Sequence, residues 1–226
     1  MPTISASILA GNHANLAADV IELEQGGADW IHVDIMDGHY VNNLTFGPKT
    51  VEDLRKVTSL PIDVHLEMYR PELVIDSFIS AGADMITIQF ESCTHPIRTI
   101  EQVKARNCQV SMAFAPTTSF DQIGSLIRDV DQVNIMTVEP GFGGQPFRKD
   151  VLPKIKLASE IIASEKLHTI VAVDGGVNIQ NIPDILRNGG HNLIIGTMLF
   201  VNDNIKENVE KTKGLFCMTK TTKEMI

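Results

Sequence analysis

The sequence predicts one α/β domain built from eight successive strand–helix units, and two observations support this prediction. Short apolar runs rich in β-branched residues alternate along the chain with amphipathic helical patterns. A weak internal repeat sets the spacing: Gly27-Ala28-Asp29, Gly82-Ala83-Asp84 and Gly190-His191-Asn192 each follow a helical pattern and precede an apolar run. With a unit of roughly 27 residues, these glycines lie two and then four units apart, and eight units fill the chain.

Eight alternations without a composition break or a long linker favour a single closed (β/α)8 barrel, the TIM barrel, over two domains. A doubly wound sheet is the alternative, but it offers no reason for eight units. The polar residues after Lys213 lie beyond the eighth unit. The predicted domain therefore spans 1–213, and a C-terminal tail follows at 214–226.

Each predicted strand follows the end of a helical pattern and runs into a loop. The predicted strands are 3–9, 30–35, 61–66, 85–90, 110–115, 132–137, 169–174 and 193–196. The predicted helices are 14–25, 51–56, 71–81, 97–106, 120–128, 151–165, 179–187 and 204–213.

Composition limits the classes of function. The net charge of −9 argues against nucleic acid or an anionic membrane as the main partner, but a small phosphate ligand needs only a local site. The three cysteines, Cys93, Cys108 and Cys217, form no close-spaced metal or redox motif, and their odd number fits a reducing compartment. No stretch approaches membrane-spanning length and no basic leader precedes an apolar run, so we expect a cytoplasmic protein.

Two histidines and two aspartates lie at the ends of predicted strands. His32 and Asp34 are two apart on one strand, so their side chains share a face, and His65 and Asp174 end two other strands. Barrel active sites lie at the C-terminal ends of the strands, where such residues meet. Singly, each is more often a core histidine or a turn-forming aspartate. Together they predict a site for one divalent ion (Zn²⁺, Fe²⁺, Mn²⁺ or Co²⁺), where the aspartates could also transfer protons.

Glycine-rich segments follow the last three strands. They are Pro140-Gly141-Phe142-Gly143-Gly144-Gln145, Gly175-Gly176-Val177 and Gly196-Thr197. Glycine lets backbone N–H groups approach an anion closely, and these loops often form the phosphate site of such barrels. One glycine pair alone would be ordinary turn chemistry, but three in successive loops predict phosphate binding without a lysine or arginine.

Three further side chains are predicted to form the wall of the site. Met36 shares a face with Asp34, and Met136 lies near the end of the sixth strand. Both methionines could fill gaps in the core or exclude water from a reacting carbon, and both interpretations stay open. Glu67 shares a face with His65, and we expect it to contact substrate hydroxyls or the metal. The alternative for Glu67 is a solvated side chain at the rim.

Five segments resemble the signatures of ribulose-phosphate 3-epimerases, in the same order and across residues 4–200. They are His32-Val33-Asp34-Ile35-Met36-Asp37-Gly38, Asn43-Leu44-Thr45-Phe46-Gly47-Pro48, Asp63-Val64-His65-Leu66, Val138-Glu139-Pro140-Gly141-Phe142-Gly143-Gly144-Gln145 and Val173-Asp174-Gly175-Gly176.

The resemblance implies a metal-dependent epimerase of phosphorylated ketoses that assembles as a dimer or a hexamer. It implies His32, Asp34, His65 and Asp174 as metal ligands, with Asp34 and Asp174 as the catalytic acid and base. The residues that it implies for substrate binding are Ser7, His65, Gly141, Phe142, Gly143, Gly144, Asp174, Gly175, Gly176, Gly196 and Thr197.

The sequence also departs from the usual pattern of that family. Ala6 replaces a proline, Glu67 a methionine, Gln89 a histidine and Thr197 a serine, and Ala115-Pro116-Thr117-Thr118 stands for Asn-Pro-x-Thr. None of these changes removes a predicted ligand, but several alter the pocket wall. The expected reaction is D-ribulose 5-phosphate to D-xylulose 5-phosphate. Two alternatives stay open: the same chemistry on D-allulose 6-phosphate, or a sugar-phosphate-binding paralogue without catalysis.

Overall fold

The computed structural model describes residues 1–223, excluding the side chains of Asp203 and of residues 217–223. Over these residues, eight parallel strands form a closed barrel in the order β1 to β8, and eight α-helices connect or follow them. The predicted single-domain (β/α)8 barrel is confirmed. The strands are β1 Thr3–Ser7, β2 Trp30–Met36, β3 Ile62–Glu67, β4 Met85–Gln89, β5 Gln109–Phe114, β6 Gln132–Met136, β7 Ile170–Asp174 and β8 Asn192–Ile195. The helices are α1 Leu16–Gln25, α2 Pro48–Arg55, α3 Ile75–Ala81, α4 Pro96–Lys104, α5 Phe120–Leu126, α6 Leu152–Glu165, α7 Ile182–Arg187 and α8 Ile205–Lys223.

The register of the strands brings polar residues to one level at the C-terminal end of the barrel. Ser7 pairs with His32 across β1 and β2, and Asp34 pairs with His65 across β2 and β3. On the other side, Met136 pairs with Asp174 across β6 and β7. Closure of the sheet therefore brings together residues that lie far apart in the sequence.

Alternation along each strand separates an apolar outer surface from a polar interior. Ile31, Val33 and Ile35 of β2 belong to the apolar core packed beneath the helices. Inside the barrel, Gln132 donates to Ser111 Oγ at 3.2 Å and accepts from Asn192 Nδ2 at 3.0 Å. Asn192 also donates to Ser5 Oγ at 3.1 Å, which joins β8 to β1. Buried polar groups require such partners, since an unpaired one costs about 1–3 kcal/mol.

The repeated glycines end helices through backbone conformation. Gly82 follows α3 with φ of 108°, and Gly27 follows α1 with φ of 90°. At the third repeat, the left-handed residue is Gly189, with φ of 92°, one position before the predicted Gly190. Gly190 has a packing role instead, because a Cβ there would lie 2.5 Å from Ile185 Cγ2.

Some predicted boundaries are wrong for local reasons. The strand predicted over 3–9 ends at Ser7 and turns into a 3-10 helix, Ile8–Ala10. The helix predicted over 71–81 divides into a 3-10 turn, Pro71–Leu73, and α3, because Val74 between them has φ of −119°.

The C-terminal helix is longer than predicted. α8 continues past Lys213 to Lys223, so the part of the predicted tail that the structure describes is helical. Residues 224–226 of that tail lie outside the described residues. Across residues 1–223, the structure contains no helix that is both long enough and apolar enough to span a membrane.

Candidate metal centre and substrate cavity

The four predicted metal ligands meet at the C-terminal end of the barrel. One donor atom from each of His32, Asp34, His65 and Asp174 lies within 4.8 Å of the others. Asp34 Oδ1 is 3.2 Å from His32 Nε2 and 3.4 Å from His65 Nδ1. Asp174 Oδ2 is 3.7 Å from the same two nitrogens. Two imidazoles and two carboxylates suit a first-row divalent ion, so this buried cluster could hold a metal.

The hydrogen bonds of the two histidines support that fit. His32 Nδ1 lies 2.9 Å from Asp63 Oδ2, and His65 Nε2 lies 3.0 Å from Gln89 Oε1. Because both partners accept, each of these nitrogens carries a proton when the ring is neutral. The remaining nitrogens, His32 Nε2 and His65 Nδ1, are buried without a hydrogen-bond partner. Two bare lone pairs therefore converge between the two aspartates, as metal ligation requires.

The two aspartates differ in their electrostatic environment. Burial alone would raise the pKa of Asp34, but the nearby charges of His32 and His65 outweigh it. The pKa of Asp34 therefore lies well below its usual range. For Asp174, burial dominates and the neighbouring Asp34 charge adds to it, which raises the pKa to about 6. Without a bound ion, the Asp34 carboxyl group thus favours the ionised form more strongly than the Asp174 carboxyl group does.

The pKa values of both histidines and of Glu67 also differ from their usual values. Although burial lowers the pKa of His65, the adjacent carboxylates of Asp34 and Glu67 raise it to about 9 in the absence of an ion. The pKa of His32 is likewise raised by Asp34 and Asp63 against the effect of burial. Burial raises the pKa of Glu67 to about 8, and the charges of Asp34 and Asp174 add to the rise. A bound cation would stabilise the ionised form of the buried carboxylates in such a cluster.

Hydrogen bonds hold Asp34 in place from two sides. Ser7 Oγ donates to Asp34 Oδ2 at 2.7 Å. Thr45 Oγ1 donates to the carbonyl oxygen of Asp34 and accepts from Met36 N at 3.0 Å. The end of β2 is therefore fixed by the loop that follows it, and the Asp34 carboxylate has one orientation relative to the histidines.

A cavity of about 870 Å³ opens above the four side chains. Asp34 and Asp174 line it, whereas His32 and His65 lie fully buried. The other predicted site residues that line the cavity are Ser7, Met36, Glu67, Met136, Gly141, Phe142, Gly143, Gly144, Gly175, Gly176, Gly196 and Thr197. No lysine or arginine is among the described residues that line it.

The glycine loops that line the cavity require glycine at two positions in particular. Gly176 has φ of 61°, and a Cβ there would lie 2.6 Å from the backbone nitrogen of Phe147. Gly175 has φ of 110°, and a Cβ would lie 2.5 Å from Val138 Cγ2. Gly176 therefore packs against the backbone of the loop after β6 and Gly175 against the Val138 side chain, so neither position has room for a side chain.

Sequence reasoning missed three polar residues that support the ligands. Asp63 binds His32 and accepts from Thr87 Oγ1 at 2.6 Å. Gln89 binds His65, and Asn134 Nδ2 lies 3.5 Å from Asp174 Oδ2. A signal for Asp63 was present, because it is two residues before His65 on β3 and so faces the same interior. The contact of Gln89 depends on the pairing of β3 with β4, which the sequence does not reveal.

Together the fold and site define a (β/α)8 barrel with a buried His/Asp cluster that could hold a metal and a glycine-lined cavity. The model of the ribulose-phosphate 3-epimerase family matches residues 3–200. A ribulose-phosphate 3-epimerase from Bacillus subtilis is 39% identical over 95% of this chain and 99% of its own length. A chloroplastic ribulose-5-phosphate-3-epimerase from Arabidopsis thaliana is 39% identical over 94% of this chain and 75% of its own. The chain belongs to the ribulose-phosphate 3-epimerase family.

Solved structures with low sequence identity share the fold. A structure of KGPDC from Streptococcus mutans has a TM-score of 0.74 at 15% identity, covering 94% of this chain and 96% of that one. A tryptophan synthase α-subunit from Pyrococcus furiosus has a TM-score of 0.71 at 15% identity, covering 94% and 98%. At this identity, the likeness supports the barrel architecture alone.

Proposed function

We propose that this protein catalyses the reversible epimerisation at C3 of a 2-ketose phosphate, with D-ribulose 5-phosphate and D-xylulose 5-phosphate as the pair. The observation that carries the proposal is the meeting of Asp34 and Asp174 in the wall of a cavity that glycine loops also line. Membership of the epimerase family supports the same reaction.

The chemistry explains why two carboxylates are needed. The C3 proton of a 2-ketose is acidic because its electron pair can move into the adjacent C2 carbonyl, which forms an enediolate. One aspartate takes this proton, and the other delivers a proton to the opposite face of C3. Asp34 lies on β2 and Asp174 on β7, with β1 and β8 between them, so the two carboxylates approach the cavity from different sides.

The residues that would hold the ion are His32, Asp34, His65 and Asp174, and their donor set fits Zn²⁺, Fe²⁺, Mn²⁺ or Co²⁺. When bound there, a divalent ion supplies Lewis-acid stabilisation of the negative charge that develops on the substrate. Met36 and Met136 are almost fully buried in the cavity wall, where their thioethers would exclude water from the reacting carbon.

Backbone N–H groups of the loops after β6, β7 and β8 are proposed to bind the phosphate. Gly141 to Gly144, Gly175, Gly176, Gly196 and Thr197 line that part of the cavity. Backbone donors suit an acidic protein because they bind an anion without a basic side chain. The phosphate would thus contribute binding energy at a distance from C3 and position the carbon that reacts.

Replacing Gly196 with leucine is expected to raise KM strongly while the metal content stays normal. A Cβ at Gly196 meets only ordinary contacts, 3.7 Å from Ser7 and Ala10, and Gly196 lines the cavity, so the larger side chain would reduce the space there. Loss of one or two hydrogen bonds to a charged phosphate would cost roughly 10–10⁴-fold in kcat/KM, at about 1.5–3 kcal/mol each. Steady-state kinetics and metal analysis measure both quantities.

Gly214→Leu is the matched control, because a Cβ there meets nothing within 4 Å and Gly214 lies on α8. It should leave KM unchanged. Metal loss in Gly196→Leu would contradict the phosphate role and indicate that this loop supports the fold. A ketose without a phosphate should also react poorly with the unmodified enzyme.

Glu67 is proposed to contact the substrate hydroxyls or the metal. The residue is 2% exposed, its Oε1 is 3.7 Å from His65 Nδ1, and its Oε2 has no hydrogen-bond partner. A side chain buried to this extent does not fit the alternative of a solvated group at the rim. Glu67→Met is therefore expected to change the metal dissociation constant or the ranking of five- and six-carbon substrates. If both stay as in the unmodified enzyme, the assignment is wrong.

The decisive experiment is turnover of five- and six-carbon ketose phosphates after reconstitution with Zn²⁺, Fe²⁺, Mn²⁺ and Co²⁺ in turn. We expect the highest kcat/KM with ribulose 5-phosphate. Preference for allulose 6-phosphate would assign the same chemistry to a longer sugar. Binding without turnover in every metal form would assign a sugar-phosphate-binding role and contradict the catalytic proposal.

We also propose that the protein is a homo-oligomer, a dimer or a hexamer, as the family resemblance implies. We propose a cytoplasmic location, which the free thiols of Cys93 and Cys108 fit. Both thiols are free and buried. Light scattering measures the assembly, and a fluorescent fusion measures the location.

A further inference from the structure

A chain of hydrogen bonds leads from His65 away from the cavity. His65 Nε2 lies 3.0 Å from Gln89 Oε1, at the end of β4. Gln89 Nε2 in turn donates to Glu91 Oε2. Both His65 and Gln89 are fully buried, so neither can exchange its partner for water. Neither Gln89 nor Glu91 lines the cavity, and the proposed reaction does not use them.

Glu91 determines which way the Gln89 amide faces. An ionised carboxylate only accepts hydrogen bonds, so the NH₂ group of the amide must face Glu91 and the carbonyl oxygen must face His65. The carbonyl oxygen of Gln89 can only accept a hydrogen bond as well. The neutral His65 ring must therefore carry its proton on Nε2, the nitrogen that faces this oxygen. His65 Nδ1 is then left with a lone pair, and this is the buried atom without a partner beside Asp34 and Asp174.

Glu91 is itself held by the next strand–helix connection. Its Oε1 accepts from the backbone nitrogen of Ala115 at 2.9 Å and from Thr118 Oγ1. Lys154 of α6 donates to the carbonyl oxygens of Pro116 and Thr118, which fixes the same turn. The carboxylate that orients Gln89 is therefore itself held by donors of the connection between β5 and α5.

The two histidines are supported in different ways. His32 donates to the carboxylate of Asp63, whereas His65 donates to a neutral amide. A carboxylate makes the ring more basic, but an amide supplies geometry without adding a second buried charge. Gln89 can therefore fix the orientation of the His65 ring and determine which of its nitrogens carries the proton.

We propose that Gln89, oriented by Glu91, is a positioning residue that holds His65 as the Nε2–H tautomer and so presents Nδ1 to the metal. The inference rests on the metal-ligand role of His65 in the proposed function. Neither Gln89 nor Glu91 is proposed to contact the substrate.

The test compares Gln89→Leu with Gln132→Leu. Gln132 is the same residue type, is buried in the same barrel interior and bonds to Ser111 and Asn192, away from the ligands. Zn²⁺ affinity is measured by competition with a chelator, without substrate. We expect Gln89→Leu to weaken Zn²⁺ binding by about 10–100-fold, as for other supports of metal ligands, and Gln132→Leu to leave it unchanged.

A second measurement detects the tautomer directly. In Zn²⁺-loaded protein with ¹⁵N-labelled histidine, the Nε2–H of His65 should give a signal protected from solvent exchange. Gln89→Leu should remove that protection and leave the Nδ1–H signal of His32 in place. Glu91→Gln provides a variant should Gln89→Leu fail to fold, because it frees the Gln89 amide to turn. We expect it to weaken Zn²⁺ binding and reduce the same protection.

Wild-type Zn²⁺ affinity together with an unchanged His65 signal, in whichever of Gln89→Leu and Glu91→Gln folds, would overturn the inference. Neither measurement involves turnover, so a protein that binds Zn²⁺ but epimerises no ketose phosphate would contradict the proposed function and leave this inference standing.

Discussion

Changing Asp34 or Asp174 to asparagine is expected to abolish epimerisation. Asparagine has nearly the same shape but cannot accept a proton, so neither variant can complete proton transfer on both faces of C3. A positioned acid or base contributes about 10²–10⁴-fold, and loss of either should lower kcat by at least that factor. The measurement is the rate of interconversion of the two epimers with each variant saturated with metal.

Both aspartates are also proposed ligands, so metal content must be measured first. Asp150→Asn is a suitable control, because Asp150 is exposed and pairs with Arg148 outside the cavity. In D₂O, each metal-loaded variant should exchange the C3 proton of one epimer only, with opposite preference in the two variants. Substantial epimerisation by both variants would rule out the assigned pair.

Removal of the metal is expected to have an effect of similar size. Lewis-acid stabilisation is worth several kcal/mol, and each 1.4 kcal/mol is a factor of ten in rate, so chelation should reduce kcat by at least about 10³-fold. Activity should return with a first-row divalent ion that accepts two imidazoles and two carboxylates.

Mg²⁺ is the informative comparison, because it prefers oxygen ligands and retains water, and His32 and His65 would suit it poorly. It should restore little activity. Full activity after exhaustive chelation, with metal content checked by mass spectrometry, would contradict the assignment of this cluster as a metal site.

Alternation along strands made the core of the site predictable. His32 and Asp34 had to share a face, and a barrel brings strand ends together, so the four proposed ligands could be grouped before their distances were known. The glycine loops after the last three strands could also be assigned to this end of the barrel from their positions, and they line the cavity.

Features that depend on contacts between strands were not predictable. The support of His65 by Gln89 requires the register of β3 against β4, and local patterns carry no information about it. Likewise, Gly189 and not Gly190 takes the left-handed conformation after α7, whereas Gly190 packs closely against Ile185, and the adjacent glycines look alike in the sequence. The split of the predicted helix 71–81 at Val74 is a third case of local geometry that periodicity does not resolve.

The seam between β8 and β1 has a consequence for the order of events at the ribosome. Asn192 ties the last strand to Ser5 of the first, so the barrel cannot close until nearly the whole chain has been made. Before then, a nascent chain carries His32, Asp34 and His65 but lacks Asp174 and the glycine loops proposed to bind phosphate, which all come late in the sequence. Binding of an ion at the proposed site would therefore follow closure of the barrel, because a ribosome-bound intermediate offers at most three of the four proposed donors.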